Sequence, residues 1–307
     1  MEFKSIHTRF RAYQLKTKGS SFSYWDGSRF ILGEARYNED NKKSIFHELK
    51  QCGKQSIDVL HITSWDSDHC AANDLKDILI ELKPKIIEYP GYDIDKTKQN
   101  ETFCYNLIIG YQKQLGFTSV KIDNVYISRL NDCERWSYTN LLYNNKKDYP
   151  EANNNSTVKL FRSGCFSVLS LGDLEKEEIS KWIVQFPTII EEVDVLLLAH
   201  HGSDNGFTTD EFLKSVKPRV ALALCNWSNN YGHPSDAILA RLRNNNILYN
   251  STKQGDIIIE SIDGHTVKYK VWNYISNGDK LEDVSNIIFT KRENKRIQEN
   301  FIRLLGK

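Results

Sequence analysis

Ile57-Asp58-Val59-Leu60-His61-Ile62-Thr63, continuing into Ser64-Trp65-Asp66-Ser67-Asp68-His69, is the stretch on which the fold of this chain turns. The first half is short, apolar and rich in β-formers, with polar flanks, so it predicts a buried strand. Residues 71–82 then carry apolar positions at helical spacing. Two carboxylates and an imidazole therefore stand where a strand ends. Anionic groups placed side by side repel unless a cation lies between them, and carboxylate oxygens with imidazole suit divalent ions. Taken alone the tetrad also has a plain structural reading, with Asp68 capping the helix and His69 as a surface histidine.

Working outward, residues 9–32 mix aromatic and β-branched positions around Asp26-Gly27, which predicts a hairpin. A helix is expected over 39–50, a strand over 85–89 and a helix over 96–115. Residues 131–155, rich in Asn, Lys, Asp and Tyr, read as a surface insertion. Beyond them lie strand candidates at 157–161, 166–171, 193–199 and 220–225, helices at 175–185, 209–216 and 235–243, and a closing strand pair at 255–260 and 266–272. Two αβ-rich halves, each with its own sheet, build an α/β four-layer αββα sandwich.

Further polar clusters follow these strands. Asp173 emerges after Leu171-Gly172, though it can equally cap the helix begun by Glu175 and Glu177. His200-His201-Gly202-Ser203 follows a buried strand directly, and paired histidines at such a mouth are poor core filler because each imidazole needs partners on both nitrogens. Tyr231-Gly232-His233-Pro234-Ser235 sets a histidine on a turn ahead of a helix that Ser235 can cap. Asn155-Ser156 precedes another strand. Ligand sites in α/β sheets concentrate at strand ends of this kind.

Composition narrows the function. Across 307 residues, 41 Lys and Arg nearly balance 40 Asp and Glu, so any nucleic-acid surface must be local. Six cysteines without a CxxC pair suggest free, buried thiols. The start of the chain lacks a signal-peptide core and no run reaches the roughly 18 apolar residues of a spanning helix, so a soluble, cytoplasmic protein without a membrane partner is expected. Residues 290–307 combine Lys291, Arg292, Lys295, Arg296, Arg303 and Lys307 with Ile297, Phe301, Leu304 and Leu305 at helical spacing, a basic amphipathic helix of the kind that mostly packs its apolar stripe and leaves its charges in water, the alternative being a handle for nucleic acid or a protein partner.

The ordered series of motifs resembles the metallo-β-lactamase superfamily, and specifically the soluble hydrolase domain of ComEC-type DNA-uptake proteins, over residues 9–259. The family's T-H-x-D-x-D-H looks like Thr63 to His69, its N-x-S-x-V like Asn154 to Val158, and its L-x-x-G-D-L-E like Leu169 to Glu175. H-H-G-S stands intact at His200 to Ser203 and N-x-Y-G-H-P at Asn229 to Pro234. The chain departs from the pattern at Ser64, where the family has histidine, at Gln14 to Ser21, where it has a glycine-rich segment, and at Gly33-Glu34-Ala35, where it has D-x-G.

The resemblance implies a metallo-β-lactamase-type sandwich over residues 1–275, with 276–307 as a C-terminal extension. It implies that Asp66, Asp68, His69, Asp173 and either His200 or His201 hold one or two divalent ions, Zn2+ or Mn2+ with Mg2+ as a third option. Asp68, His201 and His233 are the expected catalytic residues, and Asn155, Ser156, Ser203, Asn229 and His233 the expected substrate contacts. The function expected is a metal-dependent phosphodiesterase or nuclease acting on DNA. A small cyclic-nucleotide phosphodiesterase or a degenerate binding module are the alternatives.

Overall fold

Asp26 shows how local chemistry sets the first hairpin. Its carboxylate accepts from the Ser28 and Arg29 amides at 3.0 and 2.7 Å, closing the turn between β2 (Phe22–Trp25) and β3 (Phe30–Gly33). The computed structural model describes residues 7–134, 141–143, 149–262, 268–276 and 281–290. Apart from Thr290, the amphipathic helix expected at 290–307 lies outside this set.

β1 (Arg9–Ala12), β2 and β3 are antiparallel, and β3 then runs parallel to β4 (Val59–His61), β5 (Ile86–Pro90) and β6 (Thr118–Ile122). On the other side of β1 come β13 (Asp256–Ser261), β14 (Lys268–Ser276) and β15 (Leu281–Thr290), completing a nine-stranded sheet. β15 falls in the range expected to be an extension, yet it continues this sheet.

The second sheet has six strands: β7 (Leu141–Tyr143), β8 (Val158–Phe161), β9 (Val168–Ser170), β10 (Val195–Leu197), β11 (Val220–Ala223) and β12 (Leu248–Ser251). β9 to β12 are parallel and joined by helices, as short buried strands demand. β7 corrects part of the expected 131–155 surface loop. Leu142 and Tyr143 are buried and pair with β8, a role that three residues are too short to announce in sequence.

Phe10, Phe22, Phe161, Val168, Leu197, Leu222 and Ile259 fill the space between the sheets. α1 (Lys42–Gln51), α2 (Ala72–Asp77) with a π-helical turn at Ile78–Leu82, and α3 (Gln99–Leu115) cover the outer face of the large sheet through Ile45, Leu79 and Ile108. α4 (Asn124–Glu134) follows β6. α5 (Glu177–Ile183), α6 (Pro187–Glu192), α7 (Asp210–Val216) and α8 (Asp236–Asn244) cover the small sheet through Ile179, Ile189, Phe212 and Ile238. The result is the expected four-layer αββα sandwich. Among the described residues no helix is long and apolar enough to cross a membrane.

Candidate metal centre

Four donors converge where the two sheets meet. One atom each from Asp68, His69, Asp173 and His201 can be chosen so that all lie within 4.8 Å of one another, and all four residues are buried. Asp68 and His69 come from the turn after β4, Asp173 from the turn after β9 and His201 from the turn after β10. Each strand therefore delivers its polar exit to one point.

The backbone at these exits is strained in a way that aims side chains. His200 and His201 both adopt left-handed conformations, with φ of 46° and 57°, and Glu34 does so at 66°. Such conformations cost roughly 1–3 kcal/mol each for non-glycine residues and persist where the surroundings impose them. Lys83 and Lys217, also left-handed, merely end helical segments. Gly172 meets a related demand, with φ +55° and room for no side chain, since a Cβ there would lie 2.7 Å from that of Ser156. That fit lets the Asp173 amide donate to Ser156 Oγ at 3.2 Å.

Both imidazoles are held in one tautomer. His69 Nδ1 lies 3.1 Å from Glu34 Oε1 and 3.2 Å from Thr63 Oγ1, whose own proton goes to Glu34 at 2.6 Å. His201 Nδ1 lies 2.7 Å from the Leu224 carbonyl, which can only accept. A proton is thus on Nδ1 in each ring, which leaves Nε2 as the atom that each ring turns inward and can offer to an ion. Both Nε2 atoms are buried and neither makes a well-aligned hydrogen bond; their nearest polar neighbours are carboxylate oxygens of Asp173 and Asp68.

Spacing supports a cation. His69 Nε2 lies 2.9 Å from Asp173 Oδ1, and His201 Nε2 lies 3.6 Å from Asp68 Oδ2 and 3.7 Å from Asp173 Oδ1. Donors bound tetrahedrally at roughly 2.0–2.2 Å sit roughly 3.3–3.6 Å apart. His69, Asp173 and His201 also border a small cavity that Phe22, Leu197 and Leu224 help to line. Electrostatics agree. Burial opposes charge on His69 and His201, yet Asp173 together with Glu34 or Asp68 outweighs it and raises both imidazole pKa values. For Asp68 burial acts upward, but His201, His69 and Lys18 hold the carboxyl well below its usual range. A buried carboxylate pair attracts positive charge, and two imidazoles that can give up the Nε2 proton to an ion, with two carboxylates, form a donor set that fits one divalent ion.

Comparison with solved structures now becomes decisive for the fold. YhfI of Bacillus subtilis, a metallo-β-lactamase fold protein, matches with a TM-score of 0.50 over 83% of this chain and 100% of its own, at 12% identity. The chain has the metallo-β-lactamase fold. Among curated proteins it is similar to ComE operon protein 3 of Bacillus subtilis (strain 168), 26% identical over 229 residues, which are 75% of this chain and 26% of the relative. It is also similar to Competence protein ComA of Neisseria gonorrhoeae, 32% identical over 91 residues, 30% of this chain and 13% of the relative. The chain thus spans about a quarter or less of the length of these curated relatives. No family model matches it.

Within this metallo-β-lactamase fold, the residues expected at the site separate. Asp68, His69, Asp173 and His201 come together, whereas Asp66 and His200 stand outside the group. Asp66 accepts from Ser64 Oγ at 3.3 Å and faces Lys98 at 3.5 Å. Ser64, standing where the motif has histidine, also lies 3.0 Å from the Tyr92 hydroxyl. His200 is turned by its left-handed backbone to Glu175, 2.9 Å from Nδ1. His61 is buried beside Glu88 and offers no substitute.

The expected substrate contacts divide in the same way. His233 lies in a row of imidazoles with His200, His201 and His69, successive ring centres being 5.7, 5.9 and 5.7 Å apart. Burial, His200 and His201 push its pKa down to about 4, so it is neutral at neutral pH. Asn229 positions it, accepting from its amide at 2.6 Å and donating to its carbonyl at 2.9 Å. Ser203 sits at the end of the same turn, its amide bonded to the His200 carbonyl. Asn155 instead pins Tyr149 through both backbone groups, and Ser156 supports Asp173. Sequence alone assigned no role at the site to Glu34, Thr63 or the Leu224 carbonyl. A glutamate directly after a β-strand beside the motif strand was the available signal.

Proposed function

We propose that the chain is a metal-dependent phosphodiester hydrolase acting on DNA. The observation that carries this reading is the convergence of two buried imidazoles, each fixed through Nδ1, and two buried carboxylates within 4.8 Å of one another. Asp68, His69, Asp173 and His201 would hold one ion, Zn2+ or Mn2+ by the mixed nitrogen and oxygen donors. Bound there, it supplies Lewis acidity and neutralises charge on a phosphoryl group.

The chain's own groups do the rest. Glu34, Thr63 and Leu224 keep the two imidazoles oriented, and Ser156 fixes Asp173. His233, neutral at neutral pH, is suited to hydrogen-bond a phosphate rather than to act as a general acid. Tyr231 stacks on His233 with its ring 70% exposed, and Trp227 in the same loop is 69% exposed. Exposed aromatic faces beside a phosphate site suit bases of single-stranded nucleic acid. The resemblance to ComEC-type proteins supports DNA as the polymer.

The test is hydrolysis of single- and double-stranded DNA and of bis(p-nitrophenyl) phosphate after chelation and addition of Zn2+, Mn2+ or Mg2+. DNA cleavage that needs metal and disappears in Asp68→Ala is expected. Turnover of the small diester alone would move the assignment to a small-nucleotide enzyme, and inactivity with every metal would leave a binding module.

A further inference from the structure

Lys18 stands at the mouth of the site without a part in the donor set. Its Nζ lies 2.9 Å from Asp68 Oδ2, the oxygen that also faces His201. Among the described residues it is the one lysine or arginine ion-paired to a member of the four-donor group. Its side chain is 60% exposed, so most of the ammonium's hydrogen-bonding capacity points to solvent.

This position is built into the fold. Arg36, buried and paired with Asp74 at 3.0 Å, donates to the Lys18 carbonyl, to the Ser67 carbonyl at 3.2 Å and to Thr17 Oγ1 at 3.3 Å. One guanidinium therefore ties the Lys18 loop to the turn that carries Asp68. Ser20 completes the clasp by donating its amide to the Asp68 carbonyl at 3.0 Å. Gly19 between them has φ +137°, and a Cβ there would lie 2.7 Å from that same carbonyl. From the opposite rim the Tyr231 ring faces Lys18 Nζ at 5.8 Å, and Asn226 donates to the Lys16 carbonyl at 3.3 Å. Lys18 thus bridges the gap between the Asp68 turn and the loop that bears His233.

Charge balance gives it work. Two carboxylates and one divalent ion sum to zero with neutral imidazoles, while a phosphodiester brings one negative charge and gains another as its phosphorus is attacked. Asp66 and His200 are engaged elsewhere, so the described residues provide one four-donor group and one ion's worth of charge. We propose that Lys18 is a substrate-binding residue that takes a non-bridging oxygen of the bound phosphate, supplying the positive charge that a second ion would otherwise provide. This rests on the hydrolase reading above. An ion drawing on Asp68 Oδ2 releases the ammonium from that oxygen, and its three N–H groups then meet the substrate.

The experiment compares full-length wild type, Lys18→Met and Lys18→Arg in three measurements. These are Zn2+ affinity by competition with a chromophoric chelator, affinity of the Zn2+-loaded protein for inorganic phosphate, and kcat and KM on bis(p-nitrophenyl) phosphate. Lys18→Met should bind Zn2+ at least as tightly as wild type, because a competing cation is gone. It should bind phosphate about ten- to a hundredfold more weakly, the worth of a charge-assisted hydrogen bond. Lys18→Arg should recover most of the phosphate affinity. Phosphate affinity and kcat/KM within about twofold of wild type in Lys18→Met, with Zn2+ still bound, would reduce Lys18 to a surface ion pair and overturn this inference alone. A loss of Zn2+ affinity in that variant would also overturn it, by making Lys18 a structural support. Absence of binding of Zn2+, Mn2+ and Mg2+ alike in wild type would remove the hydrolase reading itself, and this one with it.

Discussion

Replacing Glu34 by Gln tests whether the metal centre depends on the carboxylate behind His69. Glu34 is 2% exposed and uses both oxygens: Oε1 faces His69 Nδ1 at 3.1 Å and accepts the Thr63 hydroxyl at 2.6 Å, while Oε2 accepts the Thr63 amide at 3.1 Å. Gln keeps the volume but can place only one acceptor. With its oxygen toward His69, its NH2 opposes the Thr63 amide, donor against donor. With its oxygen toward the amide, its NH2 opposes His69 Nδ1–H, and the ring is driven to the tautomer that loses the Nε2 lone pair. Loss of such a carboxylate partner typically weakens metal affinity about 10- to 100-fold, roughly 1.4–2.7 kcal/mol. The metal-free protein should lose about 1–3 kcal/mol for the donor left unpaired. Competition with a chromophoric Zn2+ chelator reads the first quantity and urea unfolding the second. A Zn2+ affinity within about twofold of wild type would refute the tautomer argument, because it would mean that His69 is oriented without Glu34.

Three further outcomes follow from the same geometry. Glu88 is buried between His61 and Lys159; burial alone would raise its pKa, but Lys159 and His61 hold it down to about 2. The ion pair therefore contributes stability above the unfolded carboxyl pKa of about 4.3, and that contribution is lost as pH falls through 2. Lys159→Met should cost about 3–5 kcal/mol at neutral pH by leaving a buried carboxylate short of its main counter-charge, a deficit that shrinks between pH 4.5 and 2 in urea titrations. Gly19→Ala should destabilise by at least about 1 kcal/mol and weaken Zn2+ binding, because the new Cβ presses on the Asp68 carbonyl. Ser156→Ala removes one acceptor from the Asp173 amide and should cost about 1 kcal/mol in urea unfolding, with a smaller loss of Zn2+ affinity than Glu34→Gln.

These tests fall unevenly on what sequence could foretell, and the reason is physical. The buried strands β4, β9, β10 and β11 are continuous apolar runs with polar exits, so period and composition located them and the Asp and His residues at their ends. β6 and β12 were missed because their residues are largely half-exposed, leaving little apolar pattern, and α6 because its six residues are too few to show a helical period. At the site, residue identity was legible and direction was not. Adjacent histidines at a strand end point to opposite sides under strand geometry, so sequence left His200 and His201 equivalent. Their left-handed backbone, sustained by the Gly172 carbonyl accepting from the His200 amide, breaks that symmetry, sending His201 to the donors and His200 to Glu175. The same limit hid Glu34, which looks like erosion of a D-x-G motif until a φ of 66° brings its carboxylate to His69. A departure from a motif is thus not by itself a loss of function. Ser64 gives up a donor nitrogen and closes on Asp66 and Tyr92, whereas Glu34 adds the anchor that locks a remaining ligand.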